Sequence, residues 1–371
     1  DETVAELESD PKVEYAAPNP IARASAFIPN DPGPGAFGDW LKVQWNFIGP
    51  AGVNAPDAWE AANAAGRPGG AGVTVAVLDT GVAYQSRGRY RRSPDFDLTR
   101  FVSGYDFVAG DKYPNDENGH GTHVTGTIAE ATNNGKGLTG LAYGATIMPI
   151  RVLDSRGAGD AVSIGRAIRF AAQKGAKVIN LSLEFDNSIT SSDIPDITRA
   201  ARYANAKGAL IVGAAGNQAD SAVAYPARAV HFVSVGATTE SLCQADYSNS
   251  GPGLDVMAPG GGSNAPNVDN PRDAALCQPG AQGRDIFQQT FSRTSALRRF
   301  GLPGGYEGTS MAAPHVSATA ALLIATGRLG PNPRPELIEQ RIKLTARDLG
   351  PDGPDPRYGA GLVDAGAATG P

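Results

Sequence analysis

Val73-Thr74-Val75-Ala76-Val77-Leu78-Asp79-Thr80-Gly81 decides how this chain is built. Its first six residues are a short, mostly apolar run rich in β-branched side chains, the pattern of a buried strand. The run delivers Asp79 at its C-terminal end, the edge where ligands and reacting groups gather in open α/β sheets. Lys177-Val178-Ile179-Asn180-Leu181-Ser182 repeats the pattern, as does Leu210-Ile211-Val212-Gly213-Ala214-Ala215-Gly216-Asn217. Between the strands lie helical stretches at 57–65, stopped by Gly66, at 160–174, stopped by Gly175, and at 197–207, closed by Gly208. The middle one carries Val162, Ile164, Ala167, Ile168 and Ala171 near helical spacing. This βαβ succession predicts a mainly parallel central sheet with helices on both faces, an α/β three-layer sandwich. No internal repeat is evident.

Gly308-Thr309-Ser310-Met311-Ala312-Ala313-Pro314-His315 places a serine where a Gly-containing turn enters a helix of small residues. The helix N-terminus offers free N–H groups and a positive dipole end to an oxyanion formed beside the serine. Pro314 is expected in the first helical turn, where its missing N–H costs little. In Asn118-Gly119-His120-Gly121-Thr122-His123-Val124 a histidine opens a helix running through Ala131. A serine nucleophile needs a base, and the base needs a third group to fix its tautomer. Ser310, His120 and Asp79 supply these chemistries, and Asn217, ending its strand, can donate to an oxyanion. Asp79-Thr80-Gly81 alone would also fit a two-carboxylate protease, but no second Asp-Thr-Gly is present. His123, His231 and His315 read as structural.

Val-Leu-Asp79-Thr-Gly, His120-Gly-Thr-His-Val, Ala-Ala-Gly-Asn217 and Gly-Thr-Ser310-Met-Ala-Ala-Pro resemble the four signatures of the subtilisin-like serine proteases (subtilases), in that family's chain order. The similarity runs from about residue 44 to about residue 367. It implies the subtilisin-like fold and a secreted serine endopeptidase of broad specificity, acting as a monomer on proteins and peptides. Asp79, His120 and Ser310 would form its triad and Asn217 its oxyanion hole. A peptide ligase or cyclase, or a non-catalytic binding protein on the same scaffold, are the rival readings.

The resemblance also implies that substrate binds as an added strand between Gly157-Ala158-Gly159 and Ser182-Leu183, with Ala215 and Gly216 in the pocket wall. Ala161 stands where many subtilases carry an aromatic residue, which implies a roomy fourth pocket. Where the family continues with glycines after Ser182-Leu183, this chain has Glu184-Phe185. The favoured expectation is that Glu184 points to solvent and leaves an apolar pocket for Phe, Tyr or Leu. Turned inward, its carboxylate would favour Lys or Arg. Gln44, Asp95 and Asn134 match a family calcium site that carbonyls of the loop 132–138 would complete, although Asn133-Asn134-Gly135 is also an ordinary surface turn. Residues 1–25, with a helix at 4–11 and a strand at 13–17, resemble the end of a subtilase propeptide, an intramolecular inhibitor cut between residues 23 and 30. Residues 26–371 would be the catalytic domain.

Composition agrees with one large domain. Among 371 residues, 47 are Gly and 28 Pro, yet 41% are hydrophobic, so the glycines and prolines mark tight turns and not disorder. A formal charge of -6 without a basic stripe argues against nucleic acid as the target. No apolar run reaches membrane-spanning length, and no signal peptide opens the chain. Cys243 and Cys277 lack the further ligands of a zinc site. In an exported protein they are expected to pair. Residues 260–305, rich in Gly, Pro, Asn and Arg, read as an inserted surface loop with a short helix or hairpin near 285–291, and its Arg293, Arg298 and Arg299 as solvated.

Overall fold

In β1 (Thr74–Asp79) every residue but the first is buried, which is why the run carries no polar face. Its side chains divide by parity. Val75 and Val77 enter one hydrophobic cluster and Ala76 and Leu78 another, one on each side of the sheet. The computed structural model describes residues 12–13, 27–35, 38–266, 277–293 and 296–371. The expected helix 4–11 and strand 13–17, and nearly all of the segment 1–25, lie outside these.

After β1 come β2 (Arg100–Phe101), β3 (Tyr105–Asp106), β4 (Thr146–Arg151), β5 (Val178–Leu181), β6 (Leu210–Ala214), β7 (Phe232–Thr238) and β8 (Val256–Pro259). They pair in parallel in the order β2-β4-β1-β5-β6-β7-β8, with β3 also on β4. The chain runs from β1 to β4 on one side, then crosses to β5 on the other. That reversal opens a crevice at the C-terminal end of β1, the place where such sheets hold ligands.

The helices among the described residues are α1 (Trp40–Val43), α2 (Ala55–Ala64), α3 (His120–Ala129), α4 (Ala161–Gln173), α5 (Pro195–Ala206), α6 (Thr309–Ala325), α7 (Pro335–Leu344) and α8 (Ala365–Thr369). Ile164 and Ile168 of α4 and Ile197 and Ala201 of α5 cover the Ala76 face. Val316 and Leu323 of α6 and Val124 and Ile128 of α3 cover the Val75 face. The expected α/β three-layer sandwich, a mainly parallel sheet between helical layers, is the observed architecture. No described helix is long and apolar enough to cross a membrane.

Local chemistry explains where boundaries differ from those predicted. Prolines early in α2 and α5 start both helices two residues before the expected positions, because Pro tolerates the N-terminal turn. The helix opened by His120 ends at Ala129 and not Ala131, since Glu130 is already extended at φ -56, ψ 145. α4 begins one residue after the expected start, because Asp160 is its cap, its side chain accepting from the Ser163 N–H at 2.9 Å.

The stretch 260–305 is only partly a surface loop. Ile286 belongs to the main core, and Gln288 and Thr290 are fully buried. The Thr290 hydroxyl donates to the Gly119 carbonyl at 2.6 Å, directly before α3. The hairpin forms later than expected, between β9 (Thr290–Phe291) and β10 (Phe300–Gly301). Arg298 lies against Gly88 and Arg89, donating to their carbonyls.

Cys243 and Cys277, 34 positions apart, form a disulfide. It ties the turn after β7 to the far side of 267–276. Loop-closure entropy limits its worth to about 3 to 4 kcal/mol. A Cys243→Ala/Cys277→Ala variant should therefore melt several degrees below wild type. Equal melting temperatures would show that the bond contributes nothing.

Candidate active site

Asp79 ends β1 fully buried, and its Oδ1 accepts from the Thr80 N–H at 2.7 Å. The same oxygen lies 2.7 Å from Nδ1 of His120, the first residue of α3. Two glycines permit this approach. Gly119 turns the chain into α3 at φ 115. At Gly121 a Cβ would come within 2.2 Å of the Gly81 carbonyl oxygen and 3.0 Å of Asp79 Oδ1, so only glycine lets helix and strand end lie so close.

A residue that sequence reading passed over holds the arrangement. Asp116 is buried, and its carboxylate accepts from the hydroxyls of Thr80 and Thr122 and from the N–H groups of Asn118, Gly119 and Thr122, at 2.6 to 3.0 Å. Thr80 follows Asp79 and Thr122 lies in α3, so one carboxylate fixes both sides of the Asp79–His120 contact. An acidic residue just before a helix start was the available signal.

Ser310 is the second residue of α6, after Gly308. Pro314 is not in the first turn, as predicted, but in the second. It has no N–H to give the Ser310 carbonyl four residues earlier. The Ser182 hydroxyl donates to that carbonyl instead, at 2.8 Å. In return the Ser310 hydroxyl donates to the Ser182 carbonyl at 3.2 Å. The serine is thus clamped to the end of β5 and shares with His120 and Asn217 a cleft of about 410 Å³. Gly157, Ala158, Gly159, Ser182 and Leu183 also line it.

Asn217 accepts from the Thr309 N–H and hydroxyl through Oδ1, at 2.8 and 3.0 Å, which fixes the orientation of its amide. Ala215 and Gly216 precede it. Glu184 departs from expectation. It is half-buried in the cleft and turned toward Asn217: Oε2 accepts from the Asn217 N–H at 2.7 Å, and Oε1 lies 3.4 Å from Asn217 Nδ2. Burial raises its pKa, and the Asn217 hydrogen bonds only partly offset that.

Residues 70–361 match the subtilase family, Peptidase_S8. The chain belongs to the subtilase family. It is 34% identical to the thermophilic serine proteinase of Bacillus sp. (strain AK1), over 96% of this chain and 73% of that protein. It is 35% identical to thermitase of Thermoactinomyces vulgaris, over 80% of this chain and 88% of thermitase. A solved protease of Pseudoalteromonas arctica PAMC 21717 superposes with a TM-score of 0.72 at 30% identity, covering 92% of this chain and 99% of the other. As a subtilase with protease relatives, the protein is a serine peptidase by family.

The other histidines of this subtilase have structural surroundings. His123 stacks on Tyr306 at 4.1 Å between ring centroids and contacts the Ile286 carbonyl through Nε2. His315 places Nδ1 against the Met311 carbonyl and Nε2 against the Asn46 amide Nδ2, the pattern of a neutral ring protonated at Nδ1. His231 enters β7 at φ 73.

The expected calcium residues are only partly brought together. Asn134 Nδ2 donates to Asp95 Oδ1 at 2.9 Å, and the Leu138 N–H to Oδ2 at 2.8 Å. Gln44 exchanges two hydrogen bonds through its amide with the backbone of Thr139, the residue directly after that loop. Asp31 also meets this loop, accepting from the N–H groups of Asn133 and Asn134. The pairing spans 103 positions and carries no local pattern, so sequence reading missed it. Burial, with Asp31 and Asp97 nearby, pushes Asp95 up to about 8. Neither Asp31 nor Asp95 forms an ion pair among the described residues, an environment suited to a cation. Among those residues no three His, Cys, Asp or Glu side chains converge on a metal position, so loop carbonyls would have to complete the donor set.

Burial favours neutral His120, but the charge of Asp79 and its hydrogen bond outweigh it and hold the pKa above 6.5. Burial instead pushes His123 down to about 3 and His315 to about 4. In an NMR titration His120 should gain its proton first, as pH falls toward 6.5, while His123 and His315 stay neutral below pH 5. Asp79→Asn should lower the His120 midpoint. An unchanged midpoint would separate the two side chains.

Proposed function

We propose that this subtilase is a secreted serine endopeptidase that cleaves proteins through an acyl-enzyme and processes its own N-terminal segment. The observation that carries the reading is the 2.7 Å contact between Asp79 and His120, at the mouth of a cleft that also holds Ser310. Rotation about its χ1 frees the Ser310 hydroxyl from the Ser182 carbonyl for attack on the scissile carbonyl. His120 takes the proton at Nε2 and returns it to the leaving amine, and Asp79 holds Nδ1–H and supports the imidazolium. Asn217 Nδ2 and the Ser310 N–H stabilise the oxyanion. In subtilisin itself, loss of such an asparagine costs ~100-fold to 1,000-fold in turnover, and Asn217→Ala is expected to fall in that range. Substrate adds as a strand between 157–159 and 182–183. The disulfide suits an oxidising, extracellular compartment, and the protein would act as a monomer.

If Ser310 is the nucleophile, Ser310→Ala in a chain carrying residues 1–30 should leave the junction between 23 and 30 uncut and should not react with a fluorophosphonate. Wild type should cut the junction and react with the fluorophosphonate. Normal maturation of the purified variant without another protease would refute the assignment.

A calcium ion bound by Asp31, Asp95 and Asn134, with carbonyls from 132–138, would neutralise the buried carboxylates and stiffen that loop. At a calcium concentration about 100 times Kd, binding adds about 2.7 kcal/mol to stability. EDTA should lower the melting temperature and speed self-digestion, and Asp95→Ala should abolish that response. No effect of EDTA on either would mean that no such site exists.

A further inference from the structure

Glu184 is the one carboxylate among the described residues lining the cleft, which has no lysine or arginine among them. It sits where two adjacent strands end. β5 leads into Ser182-Leu183-Glu184 and β6 into Ala215-Gly216-Asn217, and the strands are paired through Leu181 and Gly213. The carboxylate crosses the gap between these ends, held by the Asn217 N–H. It lies so close over Gly216 that a Cβ there would be 2.8 Å from Oε2. In the pose the proteolytic reading requires, with the scissile carbonyl carbon at Ser310 and its oxygen at Asn217 Nδ2, the gap adjoins that same residue, because Asn217 borders both the gap and the oxyanion position.

We propose that Glu184 is a specificity-determining residue that selects lysine or arginine immediately before the scissile bond. The inference rests on the proteolytic reading above. A neutral or apolar side chain entering the gap meets a partly desolvated carboxylate and gives it no partner, which is unfavourable. A cationic one forms an ion pair in a setting less screened than the open surface. The pair has a second effect. Oε1 lies 3.4 Å from Asn217 Nδ2, so an uncompensated negative charge there opposes an oxyanion on the same amide. A substrate cation neutralises the carboxylate as it binds, and selection therefore shows in kcat as well as in KM.

Three peptides differing only in the residue before the scissile bond, arginine, its neutral isostere citrulline, or phenylalanine, test this. Wild type should cleave the arginine peptide with kcat/KM roughly tenfold or more above the citrulline peptide, a ratio that shrinks as salt rises. Glu184→Gln, which keeps shape and removes charge, should bring the ratio near one, and Glu184→Asp should keep part of the preference. Melting temperatures identify any variant that fails to fold, and the salt dependence of wild type then decides alone. Equal arginine-to-citrulline ratios in wild type and Glu184→Gln, or a salt-independent ratio in wild type, would overturn the proposal while leaving proteolysis intact. No cleavage of any peptide together with no fluorophosphonate labelling would remove the proteolytic reading, and this one with it.

Discussion

The carboxylate of Asp116 sits inside the protein with no ion-pair partner among the described residues and is made tolerable by its hydrogen bonds from Thr80, Asn118, Gly119 and Thr122. A buried polar group left unpaired is costly, so each bond constrains the segment that provides it. Thr80 is locked to the end of β1 and Thr122 to the first turn of α3. Asp79 and His120, each close to a locked position, have little freedom to separate. Burial still raises the Asp116 pKa against all these donors, which shows how far it is removed from water.

A second constraint acts at the serine. An interior proline deprives the Ser310 carbonyl of its helical donor, and a hydroxyl from the end of β5 replaces it. Helix α6 is thereby joined to the sheet at the residue that carries the nucleophile. The rest of α6 is buried nearly throughout, including Leu322 and Leu323. Each such leucine contributes about 1.5 to 3 kcal/mol of burial. Position is thus set by packing along the helix and by one hydrogen-bonded clamp at its start.

The sheet was readable from sequence because strands covered on both faces must be apolar throughout, as Val75 to Leu78 and Leu210 to Val212 are. The residues Asp79, His120, Asn217 and Ser310 were readable because each stands at, or within three residues of, an element end marked by glycine or small residues. What escaped depends on distant partners. Asp31 finds Asn134 only after folding, Pro314 takes its place from where α6 begins, and Glu184 turns inward because the Asn217 N–H offers a donor that solvent would otherwise have to match. Burial of Ile286 and Gln288 was equally illegible, since the surrounding Gly- and Pro-rich composition looks like an exposed loop.

The disulfide has a consequence for how this chain would respond to a backbone break. Cys243 and Cys277 bracket 267–276, while β8 and the backbone pairings of Asn264 and Ala265 hold the near side of the bracket in the sheet region. A single peptide-bond break anywhere between the two cysteines leaves both fragments covalently joined. Such a nicked, two-chain molecule retains β1, α3 and α6, with Asp79, His120 and Ser310 all outside the broken interval. The bond therefore makes this stretch a place where the chain can be cut without coming apart.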